Sequence, residues 1–385
     1  MTVKLGKSLF AALIMSSVWA ASSVAQNGSQ NEDVAPEAAT GFHQRKAASG
    51  KEFMAVSAHP LATAAAYDIL AQGGSAVDAS IAAQLVLGLV EPQSSGLGGG
   101  AFMMSWNEKN QTLVEYDGRE TAPATVDQNH FLREDGKTMS FFRAIVGGYA
   151  VGVPGLVKML ELAHQRDGYL PWKTLFQPAI KIARDGFRVT PRLHMLLKRI
   201  PKVAEREAIT QYFFTEDKQP LPVGHLLKNP DYADTLLAIS EQGSKAFYEG
   251  DIAKAIVETV QNDPKVPGKL SLDDMKNYRA ILRDPVCGPF MEYIACGAAL
   301  PSSGGLTVLN ILGILEVQNL KHLSPDSSEF VHQFGEANKL AFADRNRYMA
   351  DPAFVDVPVE AFLTKEYWRS RASLVKPHST LERFP

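Results

Sequence analysis

Two rhythms of apolar and polar positions divide the chain. Phe53 to Ser57 (FMAVS) reads as a short strand, ended by His59-Pro60. Apolar positions at Ala64, Tyr67 and Leu70 then keep helical spacing until Gly73-Gly74 stops them. Ser75 is placed to cap a second helix, AVDASIAAQLVLGLV, apolar nearly all round and so expected to be buried. Phe102–Trp106 and Thr112–Tyr116 read as two strands with a turn at 107–110, a hairpin that delivers Arg119. Helical patterns follow at about 154–166, 171–185, 191–206, 229–242 and 247–262, broken at Gly168, Gly186, Pro220 and Gly243. Ser271 and Asp274 fit an N-cap, and strands are expected near 279–284 and 290–296. Pro301-Ser302-Ser303-Gly304-Gly305 opens a helix through Val308, Leu312 and Leu315. The last long helix runs from about Ser327 to Met349, with Phe330, Phe334, Ala337, Leu340 and Ala341 on one face. Strands come in pairs and helices in runs. That favours an α+β class, helices layered on mostly antiparallel sheet. No repeat and no linker interrupts residues 52–370, so the body reads as one domain.

Composition narrows the function. The 385 residues are 45% hydrophobic and 21% charged, with Lys+Arg 39 against Asp+Glu 42. Such a balance gives no basic face for nucleic acid, and no zinc spacing is present. Residues 1–25 carry Lys4 and Lys7, an apolar run from Leu9 to about Ala21, and small residues at Ser23 and Ala25. This is the form of a signal peptide cleaved near Ala25, and it places the mature protein in the periplasm or outside the cell. Residues 26–45 are polar and read as a disordered lead. The body then spans 46–385. Cys287 and Cys296, the only cysteines, are either a disulfide of an exported protein or two buried small hydrophobes.

Several clusters are candidates for chemistry. Gly96-Leu-Gly-Gly-Gly100 lacks the Lys-Ser/Thr tail of a phosphate loop and follows a helix, so close backbone packing is the better reading. Ser302 and Ser303 are either nucleophile candidates or caps of the following helix, and capping is preferred. His59, His164 and His332 keep no metal-ligand spacing, and Arg345 and Arg347 suit a helix C-terminus. Arg119 differs in kind. A guanidinium matches a carboxylate with two parallel hydrogen bonds, and Pro123 shortly after it limits the loop. From the residues alone, a solvated loop charge and a ligand contact both stay open.

Seven pieces stand in one order: AVSAHPLAT, GGSAVDASIAAQLVLGLVEPQSSGLGGGAFM, YDGRETAP, VGVPGLVKML, FQPAIKIARDGF, LPSSGG and AFADRNRYMADP. In these, from about Met54 to Trp368, the chain resembles the large subunit of γ-glutamyltranspeptidase. The resemblance implies an N-terminal-nucleophile hydrolase with a four-layer αββα fold, whose precursor cuts itself in two. The threonine exposed at the start of the small subunit would attack the γ-carbonyl of glutathione or another γ-glutamyl compound, and water or an amino-acid or peptide acceptor would release the product. No cofactor is implied. Arg119, in Asp117-Gly118-Arg119-Glu120, matches the arginine that grips the donor's α-carboxylate. The Thr-Thr/Ser-His motif that begins the small subunit does not occur in these 385 residues. The nucleophile is therefore expected from a companion polypeptide. The alternatives are a β-lactam side-chain acylase of the same superfamily, or an inactive fragment.

Overall fold

The computed structural model describes residues 47–199 and 206–381. The expected signal peptide and polar lead lie outside the described residues. Two compact units are distinguished, one containing 189–225 and the other 49–188 with 226–385.

The larger unit holds helices α1 (Pro60–Ala71), α2 (Ala76–Val90), α3 (Phe141–Ile145), α4 (Leu156–Asp167) and α5 (Trp172–Asp185) in its first stretch. The smaller unit holds α6 (Pro191–Arg199) and α7 (Glu207–Phe213). The larger unit resumes with α8 (Pro230–Gln242), α9 (Lys245–Tyr248), α10 (Gly250–Gln261), α11 (Leu272–Asn277), α12 (Gly304–Val317), α13 (Ser328–Tyr348), α14 (Val359–Phe362) and α15 (Lys365–Ala372). Its strands are β1 (Ala101–Asn107), β2 (Thr112–Gly118), β3 (Phe187–Arg188), β4 (Leu226–Leu227), β5 (Ile281–Arg283), β6 (Val286–Phe290) and β7 (Tyr293–Gly297). They form a sheet of order β1-β2-β5 and two antiparallel pairs, β3-β4 and β6-β7.

Local chemistry explains the helix starts. Pro60 is at the first turn of α1, and His59 Nδ1 accepts from the Leu61 N–H at 3.1 Å. Ser75 and Asp78 form a reciprocal capping box at the start of α2, and Ser271 and Asp274 do the same for α11. The Asp78 carboxylate is fully buried and also accepts from the N–H groups of Tyr169 and Leu170. One carboxylate thus ties the start of α2 to the end of α4.

α2 is the hub of the first core. It packs against α1, α4 and α5, and Ile81, Ala82, Leu85, Val86 and Val90 are fully shielded. Each such Leu or Ile contributes about 1.5–3 kcal/mol through lost contact with water. The Tyr232 hydroxyl of α8 donates to the Leu85 carbonyl at 2.8 Å and sits where a side chain on Gly88 would stand. A second core joins α12, α13 and α15 through Ile314, Leu340, Ala341 and Trp368. The Trp368 ring lies flush on Gly313, and its Nε1 donates to Asn310 Oδ1 at 3.1 Å.

In the smaller unit, Thr190 Oγ1 accepts from the Leu193 N–H at the start of α6. Val189 N–H donates to the His225 carbonyl, and Gly224 N–H to the Val189 carbonyl, so the two ends of this unit are joined.

Several expectations change. Residues 53–57 form no strand and join no ladder with the other described residues. The helix expected over 191–206 is described only to Arg199. That at 247–262 is two helices parted at Glu249, whose backbone is extended, with Gly250 following at a φ of +73°. The strand near 290–296 is the second arm of the hairpin β6-β7. Cys287 and Cys296 are paired in a disulfide, with Cα atoms 4.1 Å apart, and both residues are exposed rather than buried. On α13 the buried face is Glu336, Ala337, Leu340, Ala341 and Asp344, while Phe334 is exposed and stacks on Phe330. Among the described residues no helix is long and apolar enough to cross a membrane.

Candidate active site

Arg119 stands at the end of β2, where three layers of contact fix its backbone. β2 pairs with β1 on one side and β5 on the other, so Asp117 faces Phe102 and Ile281 in register. The buried Asp117 carboxylate is shared: Oδ1 accepts from the Arg119 N–H at 2.9 Å and Oδ2 from Arg283 Nε at 2.7 Å. The Tyr278 hydroxyl donates to the Arg119 carbonyl at 2.7 Å. Burial pushes the Tyr278 hydroxyl well above its usual range, and the carboxylates of Asp117 and Glu120 add to this. It therefore stays a donor at neutral pH.

Close backbone approach supplies the third layer. A side chain on Gly155 would stand 2.0 Å from the Gly118 carbonyl and 2.2 Å from the Tyr278 hydroxyl. One on Gly100 would stand 2.5 Å from the same carbonyl and 2.7 Å from Glu120 Oε2. The Gly99 carbonyl accepts from both Gly155 N–H and Leu156 N–H at 3.0 Å, which anchors the start of α4 to the glycine run. The expected close packing of Gly96–Gly100 is found at Gly100; a side chain on Gly99 would make only ordinary contacts, and Gly96 and Gly98 face open space.

The side chain of Arg119 has a different setting. It is 58% exposed and touches Glu120, Nη1 to Oε2, at 2.7 Å. A pinned backbone and an exposed guanidinium, paired only with the neighbouring Glu120, suit recognition of a planar anion, because the loop that carries the charge is already in place when the ligand arrives. Glu115, two residues before Asp117, is fully buried and accepts from the Ala299 N–H at 2.7 Å. It links β2 to the segment that precedes Pro301.

The other candidates fall elsewhere. Ser303 does not cap α12 with its side chain; its Oγ accepts from Arg345 Nε at 3.0 Å. Two of the ordered sequence pieces, LPSSGG and AFADRNRYMADP, thereby meet. The reason is geometric: Ser303 has helical backbone angles, which turn its hydroxyl away from the first-turn N–H groups. His59 and His164 make local hydrogen bonds, and His332 Nε2 meets the carbonyl of Lys376, so the three stay apart. Among the described residues no group of three His, Cys, Asp or Glu could hold a metal ion. Sequence reasoning missed Tyr278, whose hydroxyl meets the Arg119 carbonyl, and Arg283, which holds Asp117; both come from more than 150 residues further along the chain. Asp117 and Glu120 flank Arg119 in YDGRETAP and were legible there as charged neighbours.

A family model described as gamma-glutamyltranspeptidase matches residues 62–385. The chain belongs to the γ-glutamyltranspeptidase family. It is similar to the glutathione hydrolase proenzyme of Bacillus subtilis (strain 168), 36% identical over 326 residues, which cover 85% of this chain and 55% of that protein. It is also similar to the acylase ACY 1 proenzyme of Pseudomonas sp. (strain V22), 36% identical over 338 residues, covering 86% of this chain and 60% of that one. The chain thus spans little more than half the length of the curated relatives it matches. Among solved structures, the γ-glutamyltranspeptidase of Helicobacter pylori superposes with a TM-score of 0.82 at 31% identity, over 88% of this chain and 95% of that chain. The fold class is that of the N-terminal-nucleophile hydrolases, and the chain corresponds to the large-subunit portion of the αββα arrangement.

Proposed function

We propose that this chain is the donor-reading half of an enzyme that transfers or hydrolyses γ-glutamyl groups, with glutathione among its donors. One observation carries the reading: Arg119 offers an exposed guanidinium on a backbone locked by Asp117, Tyr278 and the glycine contacts. A γ-glutamyl donor differs from an ordinary amide in its free α-carboxylate and α-amine. Arg119 takes the carboxylate as a two-pronged ion pair, in exchange for its contact with Glu120. The nucleophilic threonine comes from a small-subunit polypeptide, made from the same precursor or a paired gene. Its hydroxyl attacks the γ-carbonyl, the leaving amine takes the proton, and the γ-glutamyl ester passes to water or to an amino-acid or peptide acceptor. The exposed edge and face of β5 support a partner on that side, with Ile281 and Leu282 46% and 41% exposed. The lysines and apolar run of residues 1–25 support export to the periplasm or beyond.

The test is Arg119→Ala in the assembled two-chain enzyme. Loss of a charged contact of this kind costs about 2–5 kcal/mol. The expected result is a KM for γ-glutamyl anilides raised by at least an order of magnitude, with Arg119→Lys falling between. Unchanged kinetics reject the role of Arg119. Faster release from a glutaryl-cephalosporin than from γ-glutamyl anilides by the unaltered enzyme would instead favour the acylase reading, which the similarity to acylase ACY 1 keeps in view.

A further inference from the structure

The hairpin β6-β7 has one closed face and one open face. On the closed face Gly288 is buried against Leu309 of α12, and a side chain on Gly297 would stand 2.5 Å from the Gly305 backbone. On the other face Cys287, Pro289, Ile294 and Cys296 are all exposed, Ile294 by 77%. Cys287 and Cys296 oppose each other directly in the ladder and carry the disulfide. The strands on either side of the bridge are already joined by the ladder and seated on α12, so the bridge is not what holds this hairpin together. Cys287 also borders a cavity of about 430 Å³. Its walls include Asp284, Glu360, Leu306, Val359 and Leu363. Two carboxylates on an apolar wall attract a small cation and repel an anion.

We propose that the Cys287–Cys296 disulfide is an exchange site for small thiols that carry a free amine. The thiolate of such a molecule attacks the exposed Cys287 Sγ, while its amine is held at the rim of the neighbouring cavity by Asp284 and Glu360. The Sγ–Sγ bond breaks, its electron pair leaves on Cys296 Sγ, and that sulfur takes a proton from water. The product is a mixed disulfide at Cys287 and a free thiol at Cys296. A second thiolate attacking the mixed disulfide leaves both cysteines reduced and two small thiols oxidised to their disulfide. Access governs the rate of such exchange, and both cysteines are exposed. The effect has a route inward. β7 runs on to Ala299, whose N–H is held by Glu115 of β2, four residues before Arg119. Reduction loosens this connection without unfolding the helices.

The experiment treats the full chain, without denaturant, with cysteamine or with 3-mercaptopropionate at equal thiolate concentration, each rate being divided by the same thiol's rate with 2-hydroxyethyl disulfide to remove intrinsic nucleophilicity. Free thiols are trapped with iodoacetamide and mapped by mass spectrometry. The expected result is a gain of one cysteamine at Cys287 with Cys296 alkylated, forming several-fold faster than the mercaptopropionate adduct. Asp284→Asn with Glu360→Gln brings the two rates together. The reduced chain exchanges its Ala299 amide hydrogen faster while its far-ultraviolet circular dichroism is unchanged. Adducts that form only in denaturant overturn the proposal, and so do equal rates for the two thiols or attachment at Cys296 alone. None of these readouts needs catalysis, so they stand apart from the γ-glutamyl reading.

Discussion

α2 and β5 are similarly apolar stretches that meet opposite surroundings. Ile81 and Leu85 of α2 are at most 1% exposed, whereas Ile281 and Leu282 of β5 are 46% and 41% exposed. Residues 53–57, which join no ladder, are likewise open, with Met54 at 59% and Val56 at 91%. A helix satisfies its backbone internally and needs only side-chain neighbours, which α1, α4 and α5 supply. A strand also needs a partner for its N–H and C=O groups, and the outer edges of β1 and β5 have none among the described residues. The comparison separates a self-sufficient helical side from a sheet whose outer edges are unpaired among the described residues.

The largest test of that contrast is Trp368→Ala. Its ring is 1% exposed, lies against Gly313 and joins α12 to α13 and α15. Removing it should cost about 3–5 kcal/mol in urea unfolding of the chain. Val56→Ser, at an apolar position that is 91% exposed, should stay within about 0.5 kcal/mol. A similar loss for both would erase the distinction.

Gly155→Ala probes the seam between the two sides. The new methyl group would have to displace the Gly118 carbonyl or the Tyr278 hydroxyl, since neither distance leaves room. Overpacking of this kind costs about 1–3 kcal/mol. Because the shift passes straight to the peptide before Arg119, the donor KM of the assembled enzyme should rise as well. A stability loss with unchanged KM would show that the Arg119 backbone is held by Asp117 alone.

Ser75→Ala is smaller and confined to the helical side. It removes the acceptor for the Asp78 N–H and half of a capping box, for about 1 kcal/mol of unfolding free energy. The hydrogen bonds from Tyr169 and Leu170 to Asp78 remain, so the donor KM should not move.

Helices were the more legible part of the sequence because their signals are local. Ser75 and Asp78, Ser271 and Asp274, and Gly73 and Gly243 each announce a boundary within a few residues, and the structure honours them. The strand at 53–57 was misread because alternation describes a strand's faces and says nothing of whether a neighbour is present. The end of the Ser303 side chain was misread for a related reason: the partner, Arg345, is 42 residues away. Arg119 was legible through the ordered motifs, but its supports were not. Tyr278 and Arg283 become neighbours of Asp117 and Arg119 only once β5 has paired with β2. Long-range partners of a short turn leave no trace in local periodicity.

The finest test of the comparison uses a charge buried at the boundary itself. Glu115 is fully buried in β2, with Oε2 bonded to the Ala299 N–H and Oε1 without a hydrogen-bond partner. Burial raises its carboxyl above the usual 4.5, the Ala299 hydrogen bond pulls it back, and Asp117 and Arg283 act in opposite directions. The folded chain therefore keeps this proton to higher pH than the unfolded chain does. As pH rises from 4.5 through the raised value, the unfolded state ionises first, and this group's contribution to stability is progressively lost. Glu115→Gln keeps an acceptor for Ala299 and removes the ionisation. Its stability relative to the unaltered chain should be lowest below about pH 4.5 and should grow towards neutral pH, measured as urea midpoints across that range. A gap independent of pH would mean that Glu115 is solvated when charged. The boundary between closed and open sides would then lie inside β2, not at its edge.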